Sequence, residues 1–249
     1  MHFFLVLEFI LVVCVCFWLC SITAAKELFR PNANSNFFGS LKTNSINVLM
    51  LVAHPDDEML FGAHDVLRSN TTLICLTNAN DDVRQREFDS AMKIVNLKSS
   101  FILRYADTFR KPWPFTAAYL DLVNIVEKLV KSTKYDFIVS HSHEGEYGHC
   151  HHMQLHILAK KLAFLFGISF KTFCDRYDPD DLKDSVFVDF QKRALVAYDS
   201  QAFVIKNFNL STSFPCNALS PYARKRWKKN QHCVVQPSHD DPTHTSKLH

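Results

Sequence analysis

Glycine is scarce, with five in 249 residues. That scarcity excludes collagen-like and glycine-rich repeat architectures, and no internal repeat recurs at a fixed period. No CxxC pair occurs among the eight cysteines, so a structural zinc ribbon is excluded. An excess of one charge is also missing: 28 Lys+Arg stand against 25 Asp+Glu, a net charge of +3. Such a balance supplies neither the basic field of a nucleic-acid binder nor the repulsion of a disordered chain. No HExxH occurs, which removes the metalloprotease signature. The first eight residues contain no Lys or Arg, although a secretory leader usually opens on a basic stretch.

What is present suits one globular domain with an appendage. The chain is 47% hydrophobic, enough for a core spanning roughly 200 residues. Residues 3–25, FFLVLEFILVVCVCFWLCSITAA, are apolar apart from Glu8 and small polar residues. Their length suits a single-pass membrane anchor. Lys26, Arg30 and Lys42 follow it, which by the positive-inside rule leaves the rest of the chain in the cytosol. A cleaved signal peptide is the alternative, with Thr23 and Ala25 before the cut. Outside this run, Cys75, Cys150, Cys174, Cys216 and Cys233 are odd in number and irregularly spaced. They read as reduced thiols of a cytosol-facing domain. Sequons at Asn70 and Asn209 provide a topology test, since only a lumenal or secreted domain is glycosylated there.

The division predicted is an anchor or signal peptide at 1–25, a polar linker at 26–44, a catalytic domain at 45–236 and a disordered tail at 237–249. A basic cluster at 223–229, ARKRWKK, reads as a solvated face, with an anionic membrane surface as the alternative. INVLMLVAH (46–54) is a continuous apolar run, as in a strand buried on both faces of a parallel sheet. After Pro55, DDEMLFGAHDVLRS reads as a helix. TTLICLTNA (71–79), SSFILRY (99–105) and YDFIVSH (135–141) read as further strands. Helices are predicted over 82–97, 116–133, 151–166 and 186–201. Strands alternating with helices predict an α/β, Rossmann-like three-layer fold with a mostly parallel sheet, preceded by one N-terminal apolar helix.

In such sheets, sites form at the carboxyl ends of strands. His54 ends the first strand, and HSHEGEYGHCHH (141–152) follows a later one. A catalytic metal site needs three protein ligands. His54 and Asp57 can converge across a strand-to-helix turn. A third ligand must come from the other loop, where His149 and His152 share a helix face, one for metal and one for substrate. Helix capping would account for Asp56, Asp57 and Glu58 without chemistry. It does not account for His54 or the later histidines. His141 and His143 read as ordinary loop residues, with support of a metal ligand as the alternative. His152 and His156 form an HxxxH pair, a further way to hold zinc.

AHPDDE followed by a helix, with GEYGHCHH downstream, resembles the LmbE-like / PIG-L zinc-dependent de-N-acetylases. The resemblance runs from about Ile46 to Gln201 and includes LTNAN, VRQREFDSAMKIVNL and ALVAYDSQ. It implies hydrolysis of the N-acetyl amide of an N-acetylglucosamine conjugate. N-acetylglucosaminyl-phosphatidylinositol, in glycolipid (GPI) anchor synthesis at the endoplasmic reticulum membrane, is the first expectation. It implies Zn2+, or another divalent metal, on His54, Asp57 and His152. Asp56 would be the general base. His149, with Tyr147 alongside, would stabilise the oxyanion in protonated form and protonate the leaving amine. Arg84 and Asp107 would contact substrate. The chain departs from the family at Ala79, Cys150 and His151, and Cys150 adds a possible thiolate near the metal. A secreted or lumenal deacetylase of soluble or glycan amino sugars is one rival, and a non-catalytic sugar-binding or interaction module is another.

Overall fold

The computed structural model describes residues 46–108, 111–176, 180 and 183–208. The expected anchor, linker, tail and basic cluster, and Asn209, lie outside them. Among the described residues no helix is long and apolar enough to cross a membrane.

Five parallel strands form one sheet: β1 (Asn47–Val52), β2 (Asn70–Thr77), β3 (Ser99–Tyr105), β4 (Phe137–Ser140) and β5 (Ser169–Thr172), in the order β3-β2-β1-β4-β5. The helices are α1 (Asp57–Leu60), α2 (Ala63–Arg68), α3 (Asp82–Ile94), α4 (Phe115–Val130), α5 (Gly145–Gly148), α6 (Cys150–Phe166), α7 (Phe173–Arg176), α8 (Ser185–Leu195) and α9 (Ala202–Phe208).

β1 is the central strand and is buried from Val48 onward. Its alternate side chains feed opposite faces of the sheet. Val48, Met50 and Val52 pack with Phe88 and Met92 of α3 and Phe187 and Phe190 of α8. Leu49, Leu51 and Ala53 pack with Leu122 and Val126 of α4 and Leu155 and Leu158 of α6. Two apolar layers around an unbroken hydrophobic strand give the predicted three-layer α/β architecture.

The helix predicted after Pro55 is broken in two at Phe61 and Gly62. A Cβ on Gly62 would lie 2.6 Å from the Met50 Cε, so any side chain there would have to displace the end of that methionine. β5 was not predicted: its four residues, SFKT, are too few and too mixed to carry a periodic signal. The helix predicted over 186–201 ends at Leu195, and the chain then turns to bury Tyr198.

β1 pairs with β2 on one side and with β4 on the other, so the strand order reverses direction there. The crevice at such a switch point is where open α/β sheets bind ligands. β1 runs into His54 there, and β4 runs into His141.

Candidate active site

Three donor atoms converge at the switch point. His54 Nδ1 lies 3.2 Å from Asp57 Oδ2, and His152 Nε2 lies 3.3 Å from the same oxygen. The two imidazole nitrogens are 3.2 Å apart. Ligands bound tetrahedrally to zinc at about 2.0–2.1 Å lie roughly 3.3 Å from one another, so this triangle has the size of a metal face.

Outer partners decide which nitrogens carry protons. His151 Nε2 lies 3.1 Å from the Lys111 carbonyl, which only accepts, so Nε2 holds the proton and Nδ1 is a lone pair. His54 Nε2 is 3.0 Å from that Nδ1 and therefore donates to it. The His54 Nδ1 lone pair is left facing Asp57. On the other side, His152 Nδ1 donates to Glu146 Oε2 at 2.7 Å, leaving the Nε2 lone pair inward. Two imidazole lone pairs and a carboxylate oxygen thus face one another in a buried space, an arrangement that a cation stabilises. The residues fit a divalent metal. Without one, a proton serves: burial opposes it, but Asp57 and Glu146 push the His152 imidazole up to about 10. Metal binding then displaces that proton.

Asp57 stays ionised: burial works against its charge, but His152, His54 and His141 hold its carboxyl well below the usual range. Asp56 is its opposite. Burial and the adjacent Asp57 charge raise it well above the ordinary value, and Arg84 offsets this only in part. Asp56 sits in left-handed backbone at φ 117° and makes no capping hydrogen bond, so capping does not explain it. Two adjacent carboxyls are thereby driven apart in proton affinity, a pattern that separates ligand from acid–base group. Glu58 plays neither part. It is fully buried, accepts from the Tyr198 hydroxyl at 2.6 Å and from the Asp56 backbone N–H at 3.1 Å, and is raised by burial to about 7.

A cleft opens over this centre, lined among others by His54, Asp56, Asp57, Arg84, Tyr147 and His149. His149 caps α6, and its Nδ1 accepts the His151 backbone N–H at 3.3 Å, which puts the ring proton on Nε2. Burial, with His54, His152 and His151 around it, holds this imidazole well below its ordinary pKa. These surroundings favour the neutral ring, with an N–H on Nε2, over the protonated one that the resemblance implied. Tyr147 lies edge-on to His149 and His152.

Arg84 also lines the cleft, but its guanidinium is engaged with protein. It donates to the Pro55 carbonyl, to Asp56 Oδ2 at 3.4 Å and to Glu87 Oε2 at 2.9 Å. It holds the Asp56 carboxylate in place at the wall of the cleft where a substrate contact was expected. Asp107 stands at the rim with its side chain 40% exposed, 3.4 Å from His54 Nε2. With His54, His149 and His151 it forms a second group of donors. The hydrogen bonds through His151 already occupy the outer nitrogen of His54, so this group is proton-linked.

Several predicted roles change. His156 Nδ1 donates to the His141 carbonyl at 2.9 Å, so the HxxxH pair does not converge. His143 is exposed, but His141 is wholly buried. Cys150 is disulfide-bonded and offers no thiolate. Cys174 is disulfide-bonded as well, whereas Cys75 is free and buried. Reduced thiols were expected at all three. Residues not singled out beforehand are Glu146, Tyr198, Leu60, Gln201 and Val204, the last three lining the cleft. Glu146 carried a faint signal, as the one acid inside GEYGH.

Parts of the chain are similar to known proteins. Residues 49–163 match the family model PIG-L: GlcNAc-PI de-N-acetylase. A curated relative, uncharacterized protein L374 of Acanthamoeba polyphaga mimivirus, is 29% identical over 122 residues, 42% of this chain. The match spans about half, 52%, of that relative's length. Among solved structures, N,N'-diacetylchitobiose deacetylase from Pyrococcus horikoshii aligns with a TM-score of 0.47 and 15% identity, over 66% of this chain and 74% of the other. The A40926 pseudoaglycone deacetylase Dbv21 aligns with a TM-score of 0.49 and 12% identity, over 67% and 87%. Residues 49–163, which contain the whole donor triangle, are thus the part of the chain that matches the PIG-L (LmbE-like) de-N-acetylase family.

Proposed function

We propose that this chain is a metal-dependent amide hydrolase that removes acetyl from an N-acetylglucosamine conjugate. The observation that carries the reading is the meeting of His54, Asp57 and His152, with lone pairs inward and the spacing of a tetrahedral face. A divalent ion held there, with zinc the first choice for this N/O donor set, would supply Lewis acidity toward the amide carbonyl and lower the pKa of water to about 7.

The protein's own groups complete the chemistry. Asp56, raised in proton affinity and held by Arg84, takes a proton from the attacking water. His149 Nε2–H donates to the carbonyl oxygen as negative charge develops. The proton on Asp56 is then available for the leaving amine. Tyr147 beside His149 narrows the cleft around the acetyl group.

The family description supports a GlcNAc unit, and N-acetylglucosaminyl-phosphatidylinositol is the first aglycone to test. An apolar segment at 3–25 agrees with a lipid-linked substrate and an endoplasmic reticulum membrane location. The disulfide-bonded Cys150 and Cys174 favour a secreted or lumenal placement over a cytosol-facing one. The deciding experiment is acetate release across lipid-linked and soluble N-acetylglucosamine conjugates, with and without chelator. Turnover of any of them that chelator abolishes supports the reading, and the preferred conjugate sets the aglycone. Zinc-loaded protein that releases no acetate from the panel refutes it in favour of a binding module.

A further inference from the structure

The loop between β4 and α6 contains a carboxylate that the hydrolysis does not use. Glu146 sits at φ 55°, ψ −58°, a conformation that non-glycine residues rarely adopt. Its side chain is buried, and each oxygen has a defined partner. Oε2 accepts from His152 Nδ1 at 2.7 Å and from His141 Nδ1 at 2.8 Å. Oε1 accepts the Ser142 backbone N–H at 2.8 Å. The His141 proton is fixed from its far side, because Nε2 accepts the Ala53 backbone N–H at 3.1 Å. The His141 and His152 rings stack at 3.8 Å between centroids. A strained backbone held by so many bonds marks a group whose position matters to the site beside it.

We propose that Glu146 is the positioning residue of the metal centre. It locks His152 in the Nδ1–H tautomer, with Nε2 aimed at His54 and Asp57, and through His141 it ties that ligand to the backbone at the end of β1. The proposal rests on the metal-centre reading above. A carboxylate behind a ligating imidazole fixes ring orientation, and its loss typically weakens metal binding by about 10–100-fold. Glu146→Gln keeps the shape but not the charge, and if its amide oxygen keeps both imidazole protons its NH2 meets the Ser142 N–H donor to donor.

The test measures Zn2+ affinity by competition with a chromophoric chelator, on full-length wild type, Glu146→Gln and Ser142→Ala. Ser142 Oγ accepts the Glu146 backbone N–H at 3.2 Å, so its loss perturbs the same loop and spares the carboxylate. Expected is a Kd about 10–100-fold weaker for Glu146→Gln, and a Kd within about threefold of wild type for Ser142→Ala. Circular dichroism of each metal-free variant confirms the fold. An unchanged Kd in Glu146→Gln overturns the proposal and leaves the metal centre standing. Equal losses in both variants also overturn it, because they assign the effect to the loop. Wild type that binds no Zn2+ overturns the metal-centre reading and this proposal together.

Discussion

Glu58 offers a perturbation whose size follows from its surroundings. Its carboxyl is fully buried, and burial lifts it from 4.5 to about 7, even though the Tyr198 hydroxyl and Asp56 N–H favour the charged form. A carboxyl that holds its proton more tightly folded than unfolded contributes stability that is complete below its unfolded pKa. That contribution is lost as pH rises through the folded value. The interval between 4.5 and about 7, at about 1.4 kcal/mol per pH unit, corresponds to about 3 kcal/mol. Glu58→Gln removes the titration and adds only a pH-independent offset. Metal-free wild type therefore loses about 3 kcal/mol relative to the variant between about pH 4.5 and pH 7. In a chain of this length that is roughly 6–12 °C in Tm. The assay is thermal unfolding of both metal-free proteins at half-unit steps from pH 4 to pH 8. We predict a Tm difference that moves steadily in favour of Glu58→Gln as pH rises. A difference independent of pH refutes the assignment of the raised proton affinity to Glu58.

Three further outcomes follow. Asp56→Ala is predicted to keep the bound metal, measured by elemental analysis, and to lose about 10²–10⁴-fold in turnover; loss of metal instead would make Asp56 a ligand. Arg84→Ala leaves Asp56 and Glu87 buried without their cation, so denaturant unfolding is predicted to show a loss of about 3–5 kcal/mol, and a loss confined to KM would restore its expected role as a substrate contact. Cys150 and Cys174 are predicted to resist alkylation until the protein is reduced, as read by mass spectrometry; ready alkylation of the native protein would return the domain to a reducing compartment.

β1 was legible because a strand buried on both faces is written as an unbroken apolar run, and the parallel α/β fold followed from that and the alternating helices. Register details were less visible. The break at Phe61 and Gly62 lies against Met50 of a different element, which no local pattern reveals. His54 and Asp57 were readable as a pair through their turn, but the choice of His152 over His149 depends on which ring faces inward. Glu146 stayed hidden for a related reason. It reaches His141 and His152 only because the chain adopts positive φ there, and no spacing rule announces that. Arg84 lay on the predicted helix, yet its engagement with the Pro55 carbonyl and Asp56 joins segments 28 residues apart or more. Linkage at Cys150 and Cys174 could not be drawn from an odd count of irregularly spaced cysteines.

Anomalous X-ray diffraction from crystals grown with Zn2+ addresses the metal centre most directly. Data collected on either side of the zinc edge locate the ion without reference to any assumed ligand. The account predicts one dominant peak at bonding distance from His54 Nδ1, an Asp57 carboxylate oxygen and His152 Nε2. A peak on the Asp107 side of His54, held by His149 and His151, or no peak inside the cleft, contradicts it.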